Sequence, residues 1–216
     1  MAWSGRGRGR RRNNEDPDVR ISKTMSFVLR HGAEKVGLQM DEGGFVPLQA
    51  LLELDQFKGS TEADIRRVVD NNEKKRFHLE SKDGVLKIRA NQGHSLKVAE
   101  LELEPLQNAE DFPVVVHGTF MKHWESIRTS GLSRMNRTHI HFAPGEPGES
   151  GVISGMRGKC DVLIYVNMEK ALADGLPFFV SANNVILSPG DENGFIKPCY
   201  FQKAFRRHPR EELSMS

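Results

Sequence analysis

A chain of 216 residues, 28% charged and 38% hydrophobic, has room for one domain or two small ones with buried cores. Its two cysteines, Cys160 and Cys199, exclude a disulfide framework and lack the neighbours of a zinc site, so they read as reduced, packed thiols. The net charge of +2 hides five arginines in the first twelve positions; without residues 1–14 the body carries 26 basic against 29 acidic residues, so any hold on a polyanion must come from a local cluster.

Residues 1–18 are Gly/Arg-rich and then Asn/Asp-rich, which predicts a disordered arm, either RNA-attracting or simply solvated. Ile21, Met25, Val28 and Leu29 share one helical face behind Ser22 as N-cap, and Arg30 and His31 close that stretch. Pro47 suits the first turn of a helix carrying Leu48, Leu51, Leu52 and Leu54. Thr61-x-x-Asp64 reads as a capping box before Ile65, Val68 and Val69. Residues 75–79 and 85–90 alternate like strands about a Lys82-Asp83-Gly84 turn. Helices followed by a hairpin describe a winged-helix unit over residues 19–106.

The acidic, proline-broken segment 101–113 reads as a seam between domains. Beyond it, Val114, Val115 and Val116 predict a buried strand ending at His117-Gly-Thr119, and residues 121–129 a helix stopped by Gly131. Residues 136–143 alternate, 144–151 form a Gly/Pro loop, and 162–166, 178–180, 185–187 and 195–201 read as short strands. The second half, residues 107–205, is therefore expected to be strand-rich with few helices, followed by a tail over 206–216. The whole reads as α+β. No apolar run approaches the roughly 18 residues of a membrane span, and no signal-peptide core is visible at the N-terminus. A soluble, intracellular protein, cytoplasmic and/or nuclear, is expected, as a monomer.

Two segments carry the chemistry. Arg30 and His31 stand side by side, and Arg137, His139 and His141 recur at every second residue. If residues 137–142 form a strand, those three side chains share one face. Arginine and histidine without a carboxylate motif or a metal-ligand set suit an anionic substrate, and a phosphate is the natural candidate. Gly118 allows close backbone approach, flanked by the ring of His117 and the hydroxyl of Thr119. The glycines match neither the dinucleotide fingerprint nor a P-loop. Lys74, Lys75 and Arg76 beside the hairpin are an ordinary nucleic-acid feature.

Read in order, Ser22-Lys, Leu29-Arg-His31, Asp41-x-x-Gly44-Phe-Val46, Arg76-Phe77, Gln92-Gly-His-Ser95, His117-Gly-Thr119, Arg137-x-His-Ile-His141, Val152-Ile-Ser-Gly-Met-Arg157 and Ser181-x-Asn-Asn-Val-Ile-Leu187 form a connected signature. That series strongly resembles the KptA-like NAD-dependent RNA 2′-phosphotransferases, whose eukaryotic members act on tRNA after splicing. The resemblance covers about residues 20–202. It implies an N-terminal winged-helix lobe that receives RNA and a C-terminal lobe of the ADP-ribosyltransferase type that binds NAD, with the active site in the cleft between them.

The family's catalytic tetrad maps onto Arg30, His31, Arg76 and Arg137, and its NAD signature onto His117 and His141. A third signature position, glutamate in many protein ADP-ribosyltransferases, falls at Val185. Further NAD contacts are expected at Gly118, Thr119, Ser154 and Arg157. RNA or phosphate contacts are expected at Arg30, Arg76, His94 and Ser95. The implied reaction passes the internal 2′-phosphate of tRNA, or of another RNA, to NAD through an ADP-ribosylated phosphate. It yields 2′-OH RNA, nicotinamide and ADP-ribose 1″,2″-cyclic phosphate, with NAD consumed and no metal required. Two alternatives remain open at this point: an RNA or protein ADP-ribosyltransferase that removes no phosphate, and a non-catalytic winged-helix RNA-binding module.

Overall fold

In the computed structural model, residues 15–96, 98, 103–149, 152, 155–156 and 158–215 are described. The Gly/Arg-rich residues 1–14, Ser154 and Arg157 lie outside them. The first helix, α1 (Pro17–Phe27), starts five residues before the expected cap. Asp16 caps it, its carboxylate accepting from the Asp18 amide at 2.8 Å, and Pro17 opens it. Ser22, read from sequence as the cap, is an interior residue, and Pro17 and Asp18 belong to the helix rather than to the arm. α1 runs straight into a π-turn, Val28–Gly32, that carries Arg30 and His31. Such turns shift side-chain register locally and are frequent at functional sites.

Three short elements and a hairpin complete this half. They are β1 (Val46–Pro47), α2 (Leu48–Leu52), α3 (Glu62–Asp70), β2 (Phe77–Lys82) and β3 (Val85–Ala90). Leu54 falls beyond α2. At α3 the capping box forms in both directions, with Thr61 and Asp64 each bonding the other's backbone N–H at 2.8–3.2 Å. Asp83 and Gly84 both take positive φ, 53° and 76°, which lets a two-residue turn match the strand twist. The strands order β1-β3-β2, all antiparallel. Ile21, Met25, Leu29, Leu48, Leu51, Phe57, Ile65 and Ile88 form the centre of one hydrophobic cluster beneath them.

The second half contains β4 (Leu103–Pro105), β5 (Val116–Thr119), α4 (Met121–Ser130), β6 (Leu132–Ser133), β7 (Ile140–Phe142) and β8 (Val162–Val166). It continues through α5 (Met168–Ala173), β9 (Phe179–Ser181), β10 (Ile186–Ser188), β11 (Phe195–Ile196), β12 (Phe201–Arg206) and β13 (Glu211–Glu212). One antiparallel sheet orders β4-β9-β10-β7 and another β13-β12-β8-β5, joined by a bridge between Val116 and Ala143. Their inner faces share a separate core including Ile140, Phe142, Val162, Ile164, Phe178 and Ile186.

Several expectations are corrected here. The proline-broken seam supplies a strand from Leu103 onward, tolerated because β4 is an edge strand. His117, Gly118 and Thr119 lie within β5 rather than after it. Residues 135–139 turn and bend, so β7 starts only at Ile140. α5 was not anticipated, and the tail folds back as β13 against Phe205 and Arg206. Cys160 is buried but Cys199 is exposed, so only one thiol is packed. Among the described residues, no helix is long and apolar enough to cross a membrane.

Candidate active site

Polar groups, not apolar packing, stitch the two halves together near Arg30. The His94 carbonyl accepts from the Thr138 amide at 3.1 Å and from its hydroxyl at 3.2 Å. Asn183 Nδ2 donates to the Lys74 carbonyl at 3.0 Å. His141 Nε2 lies 2.8 Å from Gln92 Oε1. These contacts draw the start of β2, the exit of β3 and the approach to β7 into one place, and the Ser95 amide, donating to the Arg30 carbonyl at 3.0 Å, ties in the π-turn.

Arg30 is the most constrained member. Its side chain lies along Gly93, whose φ of 90° and missing Cβ make the room: a Cβ there would sit 3.4 Å from Nε and 3.5 Å from Cδ and Cζ. Nε and Nη2 are buried without a hydrogen-bond partner among the described residues. Burial, then the charges of Arg76 and Arg137, push its pKa down to about 10. A buried guanidinium crowded by two others is costly unless an anion satisfies it.

His31 lies half-buried beside it. Burial first, then Arg137 and Arg30, hold its pKa below the ordinary histidine value, so the ring is neutral at neutral pH. The Ser95 hydroxyl lies 2.9 Å from His31 Nδ1 and 3.4 Å from the Arg30 carbonyl. The tautomer that satisfies both contacts has Nδ1–H donating to the hydroxyl and the hydroxyl donating on to the carbonyl. That leaves Nε2 of His31 as the basic nitrogen.

Arg76 leads into β2, its amide donating to Asn72 Oδ1 at 3.1 Å and its Nη1 to the same oxygen at 3.4 Å. Burial lowers its pKa. Arg137 is exposed, on a turn closed by its own amide donating to the Arg134 carbonyl at 3.1 Å and by Arg134 Nη1 donating to the Arg137 carbonyl at 2.9 Å. The structure therefore brings His31, Arg76 and Arg137 within electrostatic reach of Arg30, from three separate stretches of chain.

His117 and His141 both lie within electrostatic reach of Arg137. His117 Nδ1 donates to the His141 carbonyl at 2.9 Å, leaving Nε2 as an acceptor, and its ring meets Phe142 edge-on at 5.8 Å. With Gln92 Oε1 accepting from its Nε2, His141 keeps Nδ1 as the bare nitrogen. Burial, then neighbouring positive charge, holds the His141 pKa well below the usual value. Gly118 has no space for a side chain, since a Cβ would meet Cys160 Sγ at 2.8 Å and Met156 Cβ at 2.9 Å. Thr119 is nearly buried in β5.

Two expectations change. His94 is 0% exposed, with neither ring nitrogen bonded among the described residues, so its side chain cannot touch RNA from this position. Its carbonyl instead anchors Thr138, and desolvation, with Arg30 adding to it, pushes the ring to about 3. His139 faces Thr138 Oγ1 at 3.0 Å and the edge of Phe179, not a common strand face with Arg137. The motif Gln92-Gly-His-Ser95 gives Gln92 no evident role in the sequence. Only its burial at 7% and its contact across to His141 mark it. Among the described residues, no group of three or more His, Cys, Asp or Glu is placed to hold a metal.

Comparison with known proteins places this geometry in context. A family model described as "RNA 2'-phosphotransferase, Tpt1 / KptA family" matches residues 16–190. The chain is 55% identical over 217 residues to the tRNA 2'-phosphotransferase 1 of Danio rerio, covering 97% of this chain and 96% of that protein. It is 53% identical over 231 residues to the tRNA 2'-phosphotransferase 1 of Homo sapiens, covering 100% and 91%. The tRNA 2'-phosphotransferase of Saccharomyces cerevisiae is 39% identical over 180 residues, covering 79% of this chain and 78% of that protein.

Proposed function

Because the chain belongs to the RNA 2'-phosphotransferase, Tpt1 / KptA family, we propose that the cluster at Arg30 removes the 2′-phosphate that splicing leaves on tRNA and passes it to NAD. The observation that carries this reading is the pair of buried Arg30 nitrogens, Nε and Nη2, without a hydrogen-bond partner among the described residues and crowded by Arg76 and Arg137. A buried guanidinium with two others in electrostatic reach suits the oxygens of a dianionic phosphate.

In this reading the first half of the chain is a winged-helix lobe for RNA, and the second is an ADP-ribosyltransferase-like lobe for NAD. His117 and His141 would hold NAD through their bare ring nitrogens, and Gly118, packed against Cys160 and Met156, would contribute only through its backbone. Thr119 would contribute through its backbone, and Ser154 and Arg157 remain proposed NAD contacts on sequence grounds. When bound, NAD supplies the electrophilic ribose carbon that accepts the phosphate and the hydroxyl that later displaces the RNA oxygen.

The residues of this chain divide the work. A phosphate with a second pKa of about 6 is mostly dianionic at neutral pH, so it attacks without a general base. That is consistent with Val185, fully buried, standing where other families place a glutamate. Arg30, Arg76 and Arg137 hold the phosphoryl oxygens as charge redistributes. Nε2 of neutral His31 takes the proton of the attacking hydroxyl and returns it to the departing 2′-oxygen, leaving a plain 2′-hydroxyl on the RNA.

Incubating a 2′-phosphorylated oligoribonucleotide with NAD and separating the products tests the proposal. Dephosphorylated RNA, nicotinamide and ADP-ribose 1″,2″-cyclic phosphate are expected in equal amounts. Unchanged NAD would overturn it, and a stable ADP-ribose adduct on RNA would select transfer without phosphate removal.

A further inference from the structure

A groove of about 570 Å³ runs between α1 and the turn leaving α3, outside the cluster already described. One wall carries Asp18, Ser22 and Ser26, spaced four residues apart and so aligned on one helix face. Arg30 follows in the π-turn that continues α1, outside the lining of the groove. The other wall runs from Asn71 through Lys74 to Arg76. The groove thus ends where the guanidinium cluster begins, because Arg76 belongs to both.

Its chemistry is that of a strand backbone's counterpart. Ser22 and Ser26 offer hydroxyls, Asn71 and Asn72 offer amides, and Lys23, Lys74 and Arg76 offer charge. Two acids are also present. Asp18 is occupied by Arg67, which donates to it at 2.8 and 3.0 Å, whereas Glu73 is exposed. Lys23 pairs with Glu15. Lys74 is half-buried, and burial followed by the charge of Arg76 pushes its pKa down, so an anion between the two cations would relieve both. The Lys74 carbonyl is tied to Asn183, which fixes that wall.

We propose that this groove is the track for the RNA strand adjoining the 2′-phosphorylated nucleotide. Lys74 contacts a flanking phosphodiester, and Ser22 and Ser26 bond phosphate or ribose oxygens. The inference rests on the RNA substrate proposed above. It adds that affinity grows with strand length on one side of the reacting phosphate.

The test measures binding without NAD, by fluorescence anisotropy over a salt series, for a 2′-phosphorylated hexanucleotide and a 2′-phosphorylated dinucleotide. The native protein should favour the hexanucleotide. Lys74→Ala should cut that preference roughly tenfold and flatten the logarithmic salt slope by about 0.7, the value of one single-strand phosphate contact. Lys74→Arg should restore both. Ser26→Asp, placing a negative charge on the helix wall, should also lower the preference, and thermal melting reports whether each variant is folded. Folded variants with the native preference and slope would overturn the groove assignment. If length-dependent binding responds as expected but NAD is never consumed, the groove stands and the catalytic reading fails.

Discussion

Replacing Arg30 by methionine should make the protein more stable and inactive together. The pKa of Arg30 falls from 12.5 to about 10, which corresponds to about 3 kcal/mol of unfavourable environment for the charged form. Allowing for water reaching the cleft, a gain of ~1–3 kcal/mol is expected when that charge is removed. The sign holds at working pH: the folded-state value is depressed, so the cost is fully present below about pH 10 and fades only as pH rises through that value. Methionine keeps the stem that packs along Gly93 and fits a helical turn. In a domain of this size the change should raise the melting temperature by roughly 2–12 °C. Calorimetry in phosphate-free buffer reads this directly. Adding inorganic phosphate should then stabilise the native protein more than Arg30→Met, because only the native site gains by binding. A lower melting temperature for Arg30→Met would mean that the guanidinium is already satisfied, and the argument for a phosphate seat would collapse.

Arg137→Ala should slow release of cyclic phosphate more than release of nicotinamide, so that ADP-ribosylated RNA accumulates on a gel; equal slowing of both would contradict the clamp. The acid limb of the native pH–rate profile should lie below the ordinary histidine value, since burial, Arg137 and Arg30 depress His31. Arg137→Ala should move that limb upward, and an unmoved limb would remove His31 from the proton transfer. Gln92→Ala strands the buried Nε2 of His141, so stability should fall by ~1–3 kcal/mol and KM for NAD should rise more than kcat falls, measured by steady-state kinetics. His94, depressed to about 3, contributes stability that is present above its unfolded value of 6.5 and lost as pH falls toward 3. His94→Phe should therefore flatten the stability–pH curve in that window by about 1.4 kcal/mol per pH unit, and an unchanged slope in denaturant titrations would refute the assignment.

What was legible beforehand was local in cause. The Thr61–Asp64 box, the Asp83-Gly84 turn, the stop at Gly131 and the β-branched run 162–166 each depend on neighbours within a few residues, and each appears where its pattern stood. The Asp16-Pro17 start of α1 was also written locally, but the polar composition around it masked the signal. The order of the short motifs carried the family, because a series of chemical requirements along a chain survives without coordinates.

Pairing and convergence were not local. Alternation over 136–143 looked uniform, yet β7 exists only where Ile186, Leu187 and Ser188 lie opposite Phe142, His141 and Ile140. Upstream of that, Met135 at a φ of 54° and the Arg134–Arg137 bonds turn the chain instead. β4 likewise forms in an unpromising segment because β9 offers it a partner. The burial of His94, the bond from His141 to Gln92, and the crowding of Arg30 by Arg76 and Arg137 join residues far apart in the chain. Strand partners and charge clusters are set by closing long loops around two cores, so residue types could name the ingredients, while only the folded chain decided which of them meet.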